Sequence, residues 1–179
     1  QRRGRRDGER DRPRGRRRRP EPGAAAEAEQ RTVQTAASAR LAGRDFSRHE
    51  LTERLLRKGY GSAVVEAAVV AIVQEGFLRE ERFAEQFVTQ RAGRGHGPLR
   101  VRMGLRDKGV EPETIEQALD TTETDWIQAA REARRRKFGL SPPADYRERA
   151  KQARFLQYRG FSSDQIRAAL GPGDDDPDL

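Results

Sequence analysis

Apolar and polar positions alternate along this chain in a pattern that returns about every fifty residues. Leu55-Leu56-Arg57-Lys58-Gly59-Tyr60 is followed by Glu66-Ala67-Ala68-Val69. Leu105-Arg106-Asp107-Lys108-Gly109-Val110 is followed by Glu116-Gln117-Ala118-Leu119. Leu156-Gln157-Tyr158-Arg159-Gly160-Phe161 is followed by Arg167-Ala168-Ala169-Leu170. Each segment reads as helix, glycine turn, helix. A fixed period of this length predicts a stacked array with a long surface rather than one core around a cleft.

A further helix precedes each pair. The sets Val33, Ala36, Ala37, Leu41, then Phe83, Ala84, Phe87, Val88, then Trp126, Ile127, Ala130, Ala133 follow the three–four spacing of one buried helix face. These helices should begin near Val33, Glu80 and Thr124. The prediction is nine helices, no strand, and a three-helix unit of about 45–50 residues used three times. The expected boundaries are 31–76, 77–121 and 122–170. Residues 1–30, rich in Arg, Gly and Pro, lack the apolar side chains that would order them, and 171–179 form an acidic tail.

Gly59, Gly109 and Gly160 fall where a helix must end in a left-handed residue, which glycine adopts at little cost. Lys58, Lys108 and Arg159 precede them, placing a cation at the negative helix end. Leu55 with Tyr60, Leu105 with Val110 and Leu156 with Phe161 then occupy the two positions that touch across such a turn. Pro112 suits the first position of a helix. Ser162 with Gln165 reads as a capping box. Gly93-Arg94-Gly95-His96-Gly97 reads as a flexible connection, since no strand precedes it and no Gly-Lys-Ser/Thr closes it.

Charge changes the picture in one respect. The 179 residues carry a net +8, and residues 1–20 alone hold eleven Arg against three acidic residues. Residues 31–170 hold 26 basic and 19 acidic residues, a mild excess. Arg91, Arg94, Arg100, Arg102, Arg106 and Lys108 crowd the middle unit. Arg131, Arg134, Arg135, Arg136 and Lys137 crowd the next helix, and Arg154 and Arg159 follow. Such clusters are either solvated helix faces or a stripe that meets phosphates or an acidic groove. The eleven arginines of the arm either add nonspecific DNA affinity or reflect composition alone. Trp126, Phe83 and Phe87 sit at core spacing and read as packing residues rather than base-stacking platforms, while Tyr146 and Tyr158 fit either role.

Catalytic chemistry finds no footing. The chain has no cysteine and two histidines, His49 and His96. No second histidine follows His49-Glu50 at metalloprotease spacing, and the carboxylates are scattered. No catalytic, metal or cofactor site is expected, and no membrane span. A cytoplasmic monomer is the simplest expectation.

The segments Leu78-Arg79-Glu80-Glu81-Arg82-Phe83-Ala84, Gly97-Pro98-Leu99-Arg100-Val101, Arg136-Lys137-Phe138-Gly139 and Arg154-Phe155-Leu156-Gln157-Tyr158-Arg159-Gly160-Phe161 stand in an order and spacing that resembles the RecX family, regulators of the RecA recombinase. The resemblance covers about residues 33–170. It implies three tandem three-helix repeats in a curved, elongated array that binds in the groove of the RecA–DNA filament. It further implies restraint of RecA's ATPase, strand exchange and coprotease activities, and so a place in recombination, DNA repair and the SOS response. Gly104, in mid-helix, departs from the larger residue expected there and should cost roughly 1 kcal/mol against alanine. The competing expectation is a DNA-binding protein of helix–turn–helix type that acts without RecA.

Overall fold

The computed structural model describes residues 22–41 and 45–171. The expected acidic tail beyond Gly171 and the first twenty-one residues of the expected arm lie outside the described residues. Nine α-helices and no strand occur among those described. They are α1 (Pro22–Leu41), α2 (Arg48–Leu56), α3 (Ser62–Gln74), α4 (Glu80–Gly93), α5 (Pro98–Arg106), α6 (Pro112–Asp120), α7 (Trp126–Phe138), α8 (Tyr146–Tyr158) and α9 (Ser163–Leu170).

The helices form three sets, each around its own apolar cluster. Val33, Leu51, Leu55, Val65 and Ile72 centre the first. Phe87, Val101, Leu105, Ile115 and Leu119 centre the second. Ala130, Leu156, Phe161, Ile166 and Leu170 centre the third. In each set the first helix packs on the third, and the second joins them. Leu55, Leu105 and Leu156 are fully buried, each worth about 1.5–3 kcal/mol of removed apolar surface. Trp126 packs against both the second and third clusters and so ties them together. Ile127 departs from its expected core place. It is 38% exposed, because one residue beyond Trp126 the helix has turned about 100° off the buried face.

Helix α1 corrects the expected arm. It begins at Pro22, so residues 22–30 are helical. Pro suits the first turn, and Ala24, Ala25, Glu27, Ala28 and Glu29 follow with the strongest helix formers. The turn anchored by the buried Val33 and Ala37 therefore propagates backwards through residues 26–30, which bury little of themselves.

Gly59, Gly109 and Gly160 all have positive φ, at 91°, 68° and 87°. Val110 N–H donates to the Leu105 carbonyl and Phe161 N–H to the Leu156 carbonyl, each at 3.2 Å. Those bonds close the expected turns. Gly76 and Gly95 end α3 and α4 in the same way, with Phe77 N–H on Ile72 and His96 N–H on Arg91 at 3.1 Å. The Ser162–Gln165 capping box is formed at α9.

The three turn glycines differ in what surrounds them. A Cβ on Gly59 would meet nothing within 4 Å. One on Gly109 would stand 2.6 Å from His49 Cβ, and one on Gly160 would stand 2.5 Å from both Cβ and N of Arg100. Gly59→Ala should therefore cost only the left-handed backbone, about 1–2 kcal/mol. Gly109→Ala adds an overpacking cost of about 1–3 kcal/mol. Urea midpoints of the two variants should separate in that order, and equal midpoints would refute the packing difference.

Candidate binding surface at the repeat seams

The difference among the glycines marks how the repeats join. The start of α2 docks on the end of α5. Ser47 is the N-cap of α2, accepting from Glu50 N–H at 3.1 Å, and its hydroxyl donates to the Lys108 carbonyl at 2.6 Å. Lys108 Nζ reaches back to Glu50 at 2.5 Å. The start of α5 docks on the end of α8 by the same logic. Gly97 N–H donates to the Arg159 carbonyl at 2.8 Å and Leu99 N–H to Gly160 at 3.1 Å. Arg100 adds a bond to the Tyr158 carbonyl at 3.1 Å. At this second seam, N–H groups at the start of one helix meet carbonyls at the end of the next, whereas at the first seam the Ser47 hydroxyl fills that role.

Two arginines close the second seam from the other side. Arg136 donates to the Gly93 carbonyl at 2.8 Å, and Arg159 to the Arg94 carbonyl at 3.2 Å, at the end of α4. The glycine-rich connection is therefore a docked joint rather than a flexible link. Gly95 and Gly97 are buried within it.

These contacts sort the basic residues. Lys108, Arg100 and Arg159 belong to the seams. Arg102 makes a two-pronged bond with Glu116 at 2.7 and 2.6 Å. That hydrogen bond holds the Glu116 carboxyl below its ordinary range, with the charges of Arg102 and Arg106 adding to it. Arg131 donates to the Ala168 carbonyl at 3.2 Å, near the end of α9. Arg134 is removed from the expected surface. It is 6% exposed, its Nε donates to Gln152 at 2.8 Å, and it also donates to the Ser141 carbonyl. Arg91 lies over the Phe87 ring, 4.7 Å from its centroid, and its buried Nε has no hydrogen-bond partner among the described residues. The side chains of Arg94, Arg106, Arg135, Lys137 and Arg154 are exposed, with no hydrogen bond or ion pair among the described residues.

Two cavities open at the second seam. One, of about 140 Å³, is lined by Arg94, Gly95, Ala133, Arg136, Lys137, Phe155 and Arg159. The other, of about 480 Å³, is lined by Phe87, Arg91, His96, Arg100, Met103, Gly104, Asp107 and Tyr158. His96 lines the larger cavity, next in sequence to Gly95 of the smaller. Burial first, then the charges of Arg100, Arg159, Arg91 and Arg94, hold its imidazole below the ordinary histidine value. Tyr158 and Tyr146 are surface residues, 75% and 77% exposed. Gly104 now has a reason. A Cβ there would stand 2.9 Å from Phe87 Cζ, so glycine admits the ring into the second core. Among the described residues no group of His, Asp and Glu is placed to hold a metal ion, and no helix is long and apolar enough to cross a membrane.

Sequence reasoning missed Ser47, Gly97 and the clamps of Arg136 and Arg159. Only Ser47 carried a local signal, the Ser-x-x-Glu spacing to Glu50. The others act across 43 or more residues, where no local pattern marks a partner.

Helix docked on helix end through two seams defines a protein of tandem three-helix repeats whose exposed chemistry is basic. Family comparison resolves the repeats individually. The first, second and third three-helix domains of RecX match residues 35–70, 80–119 and 123–170. The chain belongs to the RecX family. It is 46% identical over 154 residues to Regulatory protein RecX of Halorhodospira halophila, covering 86% of this chain and 93% of that protein. It is 44% identical over 137 residues to Regulatory protein RecX of Pseudomonas savastanoi pv. phaseolicola, covering 76% and 88%. The crystal structure of RecX from Lactobacillus salivarius shares the fold, with a TM-score of 0.66 at 20% identity over 78% of this chain and 93% of that one. A second crystal structure of a regulatory protein RecX gives 0.69 at 19% identity over 80% and 72%.

Proposed function

We propose that this protein is a non-enzymatic negative regulator of RecA that binds in the groove of the RecA–DNA filament. The observation that carries the reading is the match of all three repeats, in order, to the three domains of RecX. The seams give it a physical basis. An array joined at both seams by hydrogen bonds presents several weak contacts as one body. They then share one loss of rotational freedom, and affinity grows with length. A helical filament offers a surface of matching repeat. Occupation of the groove restrains ATP turnover, strand exchange and coprotease function, and so lowers recombination and repair activity.

The contact residues on this reading are the exposed, unpaired cations Arg94, Arg106, Arg135, Lys137 and Arg154. Purified protein should depress RecA's DNA-dependent ATPase at ratios at or below one per RecA. No change across a wide titration would end the reading. Charge reversal at Arg106, Arg135 and Arg154 together should weaken inhibition about tenfold or more, mainly through association rate. The melting temperature should change little, because none of the three holds a partner among the described residues. Undiminished inhibition by that variant would move the contact surface elsewhere.

A further inference from the structure

Four cations line the smaller seam cavity, Arg94, Arg136, Lys137 and Arg159, and no acidic residue lines it. Glu132 pairs with Arg136 at 3.2 Å and offsets one of the four charges. The others repel, and each guanidinium keeps donors beyond those spent on Glu132 and on the Gly93 and Arg94 carbonyls. An anion would offset the remaining repulsion. Immediately past His96 the larger cavity changes character. It offers the rings of Phe87 and Tyr158, the guanidinium groups of Arg91 and Arg100, and one carboxylate, Asp107. Arg100 lies over the Tyr158 ring at 5.2 Å, while the side chain as a whole stays 75% exposed.

We propose that the seam between the second and third repeats is a binding cleft for single-stranded nucleic acid, with a backbone phosphate among Arg94, Arg136, Lys137 and Arg159 and the adjoining base against Tyr158. Two features select a nucleotide strand over an acidic protein segment. An aromatic ring beside a phosphate-sized basic cavity is the pairing that strand-binding proteins use, since every base has a π face. Asp107 would repel a second carboxylate, yet it accepts hydrogen bonds from the amino and imino groups of a base.

The cleft does not rest on the RecA reading, and its test leaves RecA out. A labelled oligothymidine is titrated into the full chain and three variants by fluorescence anisotropy at several salt concentrations. Arg94→Gln with Lys137→Gln removes two charges whose side chains hold no partner among the described residues, leaving the seam bonds intact. It should reduce the salt slope by up to about 0.7, the share of one neutralised phosphate, and the affinity about tenfold or more. Tyr158→Ala should reduce affinity by about five- to 150-fold with the slope unchanged. Arg57→Gln with Lys58→Gln removes the same charge at the far end of the array and should change affinity less than threefold, roughly the scale of a general field effect. In a parallel histidine NMR titration, a bound strand should raise the His96 pKa, because a phosphate beside it favours the charged imidazolium.

Equal loss in the near and far charge variants would overturn the cleft in favour of diffuse attraction, including that of the arginines in residues 1–20. A wild-type response with Tyr158→Ala would remove the base site. Normal strand binding and an unchanged salt slope in the Arg94 and Lys137 variant would overturn the phosphate site. A His96 shift with inorganic phosphate but none with the oligonucleotide would reduce it to a small-anion site. Failure of RecA inhibition alone leaves the cleft standing.

Discussion

Replacing Gly97 with alanine should loosen the third repeat from the second. Gly97 has φ −83° and ψ 170°, a conformation open to any residue, so the substitution carries no backbone strain. Its cost is steric. The added Cβ would lie 2.3 Å from the Gly160 carbonyl oxygen and 2.4 Å from both Gly160 C and Phe161 N. These are main-chain atoms of a tight turn, and no side-chain rotation relieves the contact. The two elements must move apart. That lengthens the bonds from Gly97 N–H to Arg159 and from Leu99 N–H to Gly160, each worth about 0.5–1.5 kcal/mol net. With an overpacking cost of about 1–3 kcal/mol, the expected loss is about 2–6 kcal/mol.

The form of the unfolding should change as well. Repeat arrays are held by internal stabilities plus nearest-neighbour interfaces, so weakening one interface uncouples what lies on either side. Urea unfolding of Gly97→Ala should broaden or split, with an apparent m-value lower than wild type. Gly59→Ala, at the turn with nothing docked on it, should keep a single transition. A Gly97→Ala protein that unfolds in one transition at the wild-type midpoint would show that the joint at 97 and 160 is loose enough to absorb a methyl group.

The contrast between these glycines shows what the sequence makes legible. A left-handed helix end depends on neighbours one turn away. Gly59, Gly109 and Gly160 could therefore be found from Leu55, Leu105 and Leu156 behind them and from Tyr60, Val110 and Phe161 after them. The three cores follow from periodicity for the same reason. Gly97 has no such local signature, because its constraint is imposed by residues 160 and 161. The basic residues fail similarly. Arg102, Arg106 and Lys108 look alike in one helix and turn, yet one pairs with Glu116, one is solvated and one bridges to Glu50 in another repeat. Composition located the basic region. Which cations remain unpaired was decided by partners 14 and 58 residues away.

Arg134 is the sharpest case, and its removal should be among the most damaging single changes in the third repeat. The residue looks like its neighbours in the run 134–137. It faces inward because α7 turns about 100° per residue, which places position 134 beside the buried Ala130 and Ala133 face. Its guanidinium ties α7 to Gln152 of α8 and to the Ser141 carbonyl of the connecting loop. Gln152, itself 2% exposed, passes the link to Glu148 at 3.3 Å. Arg134→Ala leaves the Gln152 carbonyl oxygen buried without its donor and opens space where the stem had packed. Hydrogen bonds to charged groups are worth about 1.5–3 kcal/mol each, so losing the two gives an expected loss of about 3–6 kcal/mol. Arg134→Met restores the volume of the stem without the charge and should recover part of that. The double variant Arg134→Ala with Gln152→Ala should cost less than the sum of its parts, because the orphaned acceptor goes with its donor. Limited proteolysis should cut Arg134→Ala first between residues 139 and 144, where the loop has lost its anchor. Strand binding and RecA inhibition by the folded Arg134→Met protein should match wild type. If Arg134→Met keeps wild-type stability but loses either activity, the guanidinium faces a ligand after all, and the packing of α7 against α8 must open to let it do so.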